Sequence, residues 1–375
     1  MTHQEWERWW AEAGLQSRLD EAFRKHLSSP ETTFDEHLAK RRVDLNHELE
    51  GKKLVYMDTK HWVNLCHVVL KTRHATPLYT EVFGLLKLLR QKSRICCPVS
   101  ATLFEELMRQ TDKSTRQATA QVMDSLGGGA CLQNWLDLAK AEFGRHICQL
   151  FQIEKDQEMF FPIWTKVGYR QGESSFEFLE NTAEKSVALE KAFFDVEWDM
   201  SLEQAQSMPG WIPTPDSFSA AWVQEARRAK HHQAQSPRNF KQLVQDRRRQ
   251  LLSAFKSTLL PLLALCRGIP GSPKEQVAAV FDPIYQGKNP NAMPSLEVVA
   301  ALDAAITLDT RRGVQANDLE DYIHAAQALP HSDALFCDNF MAQQLRTKPL
   351  EFGMVYRIEI GSRPEEILGY LKTLD

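Results

Sequence analysis

Four carboxylates stand where a folded chain can gather them. Asp58 follows the apolar run Leu54-Val-Tyr-Met57, and Glu106 sits on a helix just after a second such run. Asp321 shares a helix face with His324, and Asp338 follows the run Ala334-Leu-Phe-Cys337. Like charges collected in one place repel and raise one another's pKa unless a divalent cation neutralises them. Donors that are all oxygen suit a hard ion, Mg²⁺ or Mn²⁺. Such an ion lowers the pKa of a bound water and stabilises a leaving oxygen, which is the chemistry of phosphodiester hydrolysis. Each residue alone also has an ordinary role. Asp58 and Asp338 serve as N-caps of the helices that follow, Glu105 and Glu106 as solvated helix positions, and His324 as a packed histidine.

The elements that position these residues are legible in the pattern. Lys53 to Met57 reads as a short buried strand, followed by a helix with Trp62, Leu65, Val69 and Leu70 on its apolar side and another opening at Pro77. Arg94 to Val99 reads as the next strand, and Ser100 as the N-cap of a helix over Ala101 to Gln110. This order implies parallel strands joined by right-handed crossovers, and open parallel sheets place ligands at strand C-termini. Lys113 to Leu126 reads as a helix stopped by Gly127-Gly-Gly129, since no Lys-Ser or Lys-Thr follows to make a phosphate loop. Near the C-terminus the same texture returns: helices over Ser295 to Thr310 and Asn317 to Ala328, strands over Ala334 to Cys337 and Phe352 to Ile360, and a helix over Pro364 to Leu374.

Between these parts, from Ala130 to about Met293, helical patterns dominate, broken at Met208 to Pro215 and Gly268 to Pro273. Arg227, Arg228, Lys230, Arg238, Lys241, Arg247, Arg248, Arg249 and Lys256 crowd one stretch against Asp246 alone. That is the footprint of a phosphate-backbone contact, or equally a solvated helix face or a docking surface for an acidic partner. Residues 2 to 49 read as helical, with Trp6, Trp9, Trp10, Leu19, Phe23 and His26 along an apolar stripe.

At 375 residues and 43% hydrophobic content the chain can bury a large core without staples. Its seven cysteines form no Cys-x-x-Cys pair and predict free thiols in a reducing compartment. A net charge of −4 excludes a wholly basic nucleic-acid binder. The first residues are acidic where a signal peptide needs positive charge, and the most apolar run, Thr258 to Cys266, is too short to span a bilayer. A cytoplasmic protein without a membrane partner is expected.

The runs Leu54-Val-Tyr-Met-Asp58-Thr59, Pro98-Val-Ser100-Ala-Thr-Leu-Phe-Glu-Glu106-Leu107, Asp321-Tyr-Ile-His324 and Leu329-Pro-His-Ser-Asp333-Ala-Leu-Phe-Cys-Asp338 resemble, in that order, the motifs of PIN-domain and PIN-like nucleases. The resemblance implies an α/β fold: a Rossmann-like three-layer α/β/α core with a central parallel sheet, interrupted here by a large all-helical insertion. It would divide the chain into a helical region (1–50), a first core part (51–129), the insertion (130–294) and a second core part (295–375). It implies a Mg²⁺- or Mn²⁺-dependent endonuclease acting on RNA, or on DNA by the same chemistry. Members of the family often serve as toxins or defence effectors, which implies a protein partner or inhibitor as well.

By the same resemblance Asp58, Glu106, Asp321 and Asp338 are the first to fourth metal-holding acids and Asp333 an accessory acid, with Asp318, Glu105 and His324 nearby. Lys60 and the basic run would meet phosphates. The chain departs from the pattern in three ways. Lys60 replaces an Asn common in the family, about two hundred residues separate the second and third acids, and Asp318 and Glu105 compete with Asp321 and Glu106. A non-catalytic RNA- or protein-binding scaffold is the alternative. A haloacid-dehalogenase-like phosphatase would need an Asp at position 60.

Overall fold

Val55, Tyr56 and Met57 have no exposed surface, and that burial fixes the strand they belong to. In the computed structural model, which describes residues 3–154, 160–170, 183–207, 217–266 and 269–375, the chain divides into two units. The first comprises Met1–Asn134, Trp164–Thr214 and Pro364–Asp375, the second Trp135–Ile163 and Pro215–Arg363. The fold is mixed α/β, mostly helical, with short parallel strands. All seven cysteines are free and buried. Among the described residues no helix is long and apolar enough to cross a membrane.

The first unit opens with helices α1 (His3–Glu12), α2 (Leu15–Leu27) and α3 (Phe34–Leu49). A capping box, Thr33 with Glu36, starts α3. Strand β1 (Lys53–Met57) leads through α4 (Thr59–Val69) and α5 (Pro77–Gln91) to β2 (Ile95–Cys96), which pairs with it in parallel, Lys53 opposite Ile95 and Leu54 opposite Cys96. Thr76 caps α5 through the Tyr79 N–H at 3.2 Å, with Pro77 in the first turn where its missing N–H costs nothing. Then come β3 (Val99–Ser100), α6 (Ala101–Arg109), α7 (Lys113–Gly127) and β4 (Ala130–Leu132), after which α8 (Trp135–Leu150) belongs to the second unit. Strand β5 (Trp164–Lys166) pairs antiparallel with β4, and β3 pairs parallel with β4, giving a three-stranded sheet. Helices α9 (Ala183–Trp198) and α10 (Leu202–Gln206) follow, with α9 packed on α2.

Two expectations are corrected here. Arg94 to Val99 is two strands in two sheets, because Pro98 has no N–H to continue a ladder. The region from 130 to 294 is not all-helical: β4 and β5 lie in it, each only three residues long, too short for an alternating pattern to register.

In the second unit α11 (Ser217–Gln235), α12 (Phe240–Leu265) and α13 (Pro273–Tyr285) precede α14 (Pro294–Leu308). Helix α14 is buried nearly all round and packs against α8, α11, α12 and α15 (Asn317–Ala328). Strand β6 (Ala334–Phe336) then runs through α16 (Asn339–Arg346) and α17 (Phe352–Tyr356) to β7 (Glu359–Gly361), its parallel partner. The strand expected over Phe352 to Ile360 is therefore mostly a helical turn. Glu351 and Arg357 bracket it at φ 47° and 55°, left-handed positions that interrupt an extended run, and pairing begins only at Glu359. The terminal helix, Pro364–Leu374, returns to the first unit and packs on α5. The break expected at Met208 to Pro215 lies outside the described residues, as do Gly268 and the Trp6 side chain.

The triple glycine is a helix stop. Gly128 and Gly129 take φ 60° and 74°, and the Gly128 N–H closes α7 on the Asp124 carbonyl at 2.9 Å. Gly127 serves close approach instead: a Cβ there would meet the Cys97 carbonyl oxygen at 2.6 Å. Gly127→Ala should therefore lower stability by about 1–3 kcal/mol. Gly84→Ala, in open space inside α5, should raise it by about 0.5–1 kcal/mol. Urea denaturation of the two variants checks both signs, and a Gly127→Ala protein as stable as wild type would contradict the packing.

Candidate functional site

In the first unit a buried hydrogen bond of 2.8 Å between the Tyr56 and Ser100 hydroxyls ties β1 to the start of α6. Ser100 also caps α6, accepting from the Leu103 N–H at 3.1 Å. This clamp sets the direction of α6, and Glu106 on its inner side accepts a short hydrogen bond from the Thr59 hydroxyl. Of the two candidates for the second acid, Glu106 is thus the one beside residue 59. Glu105 instead acts electrostatically on Arg170, whose guanidinium stacks 3.5 Å over the Phe104 ring. Burial lowers the Arg170 pKa to about 10, against the pull of Cys131, Glu105 and Glu197. Asp58 occupies the N-cap position of α4, but its side chain caps no backbone N–H. Its ordinary role as a cap is therefore not the one it fills. Lys60 is exposed.

In the second unit the ordinary role does apply to Asp338. Its Oδ1 accepts from the Met341 N–H at 2.8 Å and caps α16, while Oδ2 has no partner among the described residues. Asp318 is 1% exposed and fully engaged, taking the Arg312 guanidinium at 2.6 Å and the Gln315 N–H at 2.8 Å. Its work is to fix the turn before α15. Asp321, one helical turn on, is half-buried, as is Asp333, whose carbonyl receives the Glu359 N–H at 3.0 Å. His324 is buried at 4% exposure.

The basic stretch divides in two. Lys230 donates to the carbonyls of Asp309 and Arg312, Arg238 pairs with Asp246, Arg247 pairs with Asp303 and Glu225, and Arg248 forks onto Glu297 with two bonds of 2.7 Å. These four hold helices together. Their charges are engaged within the fold. Arg227, Arg228, Lys241, Arg249 and Lys256 are exposed and have no ion-pair partner among the described residues.

One cluster has no counterpart in the sequence reading. His26 Nε2 lies 2.9 Å from Asp195 Oδ2 and His37 Nε2 2.7 Å from Asp195 Oδ1, with Arg41 Nε 3.7 Å away. Sequence placed His26 on an apolar helix stripe, but no local pattern links residues 26, 37 and 195. The three donor atoms lie within 4.8 Å of one another, and two imidazoles with a carboxylate form a set that zinc or iron accepts. Here they sit at hydrogen-bond distance, among cations. Lys191, 1% exposed, donates to the Ser29 and Thr32 carbonyls, and its charge acts on His26. Any ion at this place would displace both hydrogen bonds.

The cluster makes stability depend on pH. Burial works to raise the Asp195 pKa, but the His37 and His26 hydrogen bonds and the charge of Arg41 outweigh it and hold the carboxyl at about 2. A depressed carboxylate contributes fully above its ordinary value of 3.8, and that contribution is lost as pH falls through about 2. Burial lowers the His26 pKa below 6.5 against the pull of Asp195, so below that pH the unfolded chain takes up the proton more readily. Stability should fall in both windows on acidification. Asp195→Ala should cost roughly 3 kcal/mol at neutral pH, read by urea denaturation across a pH series. An unchanged midpoint in the variant would contradict this role.

Compared with known proteins, the chain matches no family model, no curated protein and no solved structure.

Proposed function

We propose that the chain is a Mg²⁺- or Mn²⁺-dependent endoribonuclease with a PIN-like core, its candidate metal-holding acids being Asp58 and Glu106 in the first unit and Asp321 and Asp338 in the second. The observation that carries the reading is a repetition. In each unit a parallel strand buried to its last residue is followed, within two residues, by an aspartate whose carboxylate keeps at least one oxygen outside any helix cap: Asp58 after β1 and Asp338 after β6. Strand C-termini are where α/β folds place their ligands. Glu106, joined to Thr59, supplies a second carboxylate in the first unit. Asp318 is committed to Arg312 and Gln315, and Asp321, three residues before His324 on the same helix, is taken as the third acid.

When bound, the ion supplies an activated water and charge stabilisation at the leaving oxygen. The chain's own residues do the rest. The carboxylates would fix the ion's position, Thr59 orients Glu106, and the exposed side chains of Lys60, Arg227, Arg228, Lys241 and Arg249 would meet phosphates. The second reading, a non-catalytic RNA- or protein-binding scaffold, draws its support from the engagement of Asp338 as a cap and of four basic residues inside the fold. A role as a toxin or defence effector would follow from the first reading by family analogy alone.

Cleavage separates the two readings. Purified protein incubated with total RNA, and separately with single- and double-stranded DNA, should cut RNA in Mn²⁺ or Mg²⁺ and not in EDTA. Asp58→Asn and Asp338→Asn should each reduce the rate about a hundredfold or more. Asparagine still caps a helix, so the second variant tests charge and leaves the fold intact. Folded wild-type protein that cuts nothing with either ion, or cutting that survives both substitutions, would overturn the nuclease reading.

A further inference from the structure

Beside the buried helix α14, residues of α11, α12 and α14 line a half-open cavity of about 380 Å³, within the range of about 300–1,000 Å³ that small-molecule sites occupy. Its floor carries Asp303, 7% exposed, which gives Oδ2 to Arg247 and leaves Oδ1 without a hydrogen bond among the described residues. Beside it the Trp222 indole, 5% exposed, has its N–H close enough to favour the Asp303 anion, yet that N–H completes no hydrogen bond. Buried polar atoms are nearly always paired. An acceptor and a donor left open together on a cavity floor mark where a ligand's polar edge belongs.

The rim differs from the floor. Arg228 and His232 lie one turn apart on α11, both line the cavity, and both are exposed. Neither has an ion-pair or hydrogen-bond partner among the described residues. The other two arginines at the cavity are already paired, Arg238 with Asp246 and Arg247 with Asp303 and Glu225. Ala226, Leu243 and Ala304 add apolar lining.

We propose that this cavity is a mononucleotide site, which takes a phosphate on Arg228 and His232 and a nucleobase edge on Asp303 Oδ1 and Trp222 Nε1. A phosphate alone leaves the floor unpaired, and a free base leaves the rim cations unanswered. A nucleobase has apolar faces for Ala226, Leu243 and Ala304, and its edge offers a donor and an acceptor side by side. Arg228 is then a binding residue, which its lack of any internal partner permits. The site lies wholly in the second unit and shares only Arg228 with the nuclease reading and none of the acids proposed for hydrolysis, so binding in EDTA and metal-dependent cleavage fail separately.

Titration calorimetry of the full chain in EDTA tests it, with the four ribonucleoside 5′-monophosphates, the free nucleosides, inorganic phosphate and a short oligoribonucleotide. At least one monophosphate should bind one-to-one, and its nucleoside and phosphate alone should each bind roughly tenfold more weakly or worse. Arg228→Ala, at an exposed position, should weaken the monophosphate roughly tenfold without moving the unfolding temperature. Asp303→Asn should weaken it as well or change the base preferred. Absence of heat with every monophosphate, or affinity indifferent to Arg228→Ala and His232→Ala, would overturn the proposal. Binding of the oligoribonucleotide alone would also overturn it, in favour of a strand-binding surface.

Discussion

Strands β1 and β6 are buried through their last residues: Val55, Tyr56 and Met57 in one, Ala334, Leu335 and Phe336 in the other. Nothing in the buried part of such a strand can present a charge. The first place that can is the turn into the next helix, and at both turns the chain puts an aspartate. Everything proposed about catalysis depends on this constraint, because it holds the carboxylates on rigid backbone. Around Asp58 it is reinforced by the Tyr56–Ser100 bond, which aims α6 and brings Glu106 to Thr59.

Burial also decides which charges remain available. Charged side chains are seldom buried without a partner, and here the partners account for much of what looked functional. Arg248 meets Glu297, Arg247 meets Asp303, and Arg312 meets Asp318 while stacking 4.0 Å over Phe340. These pairs lock α12 to α14 and fix the turn before α15. A basic run is therefore a poor guide to a nucleic-acid surface until the internal pairs are removed from it. What remains, Arg227, Arg228, Lys241, Arg249 and Lys256, is a smaller set of exposed cations with no ion-pair partner among the described residues.

Much of the architecture was legible in local pattern. The boundaries of α15 and of the terminal helix, the strands at Lys53–Met57 and Ala334–Phe336, and the glycine stop of α7 follow from caps, apolar runs and breakers. What escaped is set by distance along the chain or by brevity. Strands β4 and β5 have three residues each and are defined by pairing across more than thirty positions. The Phe352 to Ile360 run has strand composition, but its left-handed residues at 351 and 357 allow only one helical turn and a late strand. The His26–His37–Asp195 cluster and the unpaired floor of the α11–α12 cavity arise from contacts between helices, which periodicity within one helix does not encode. In the candidate site, the choice of Glu106 over Glu105 rests on Thr59 and that of Asp321 over Asp318 on Arg312, partners that no motif names.

The central claim is that the strand-end acids hold a divalent cation, and Mn²⁺ binding followed by electron paramagnetic resonance tests it most directly. The wild-type chain and the Asp195→Asn variant should bind the ion alike, and the Asp58→Asn, Asp338→Asn double variant should lose it. Binding that survives the double substitution but disappears with Asp195→Asn would place the metal at the histidine cluster and contradict the account.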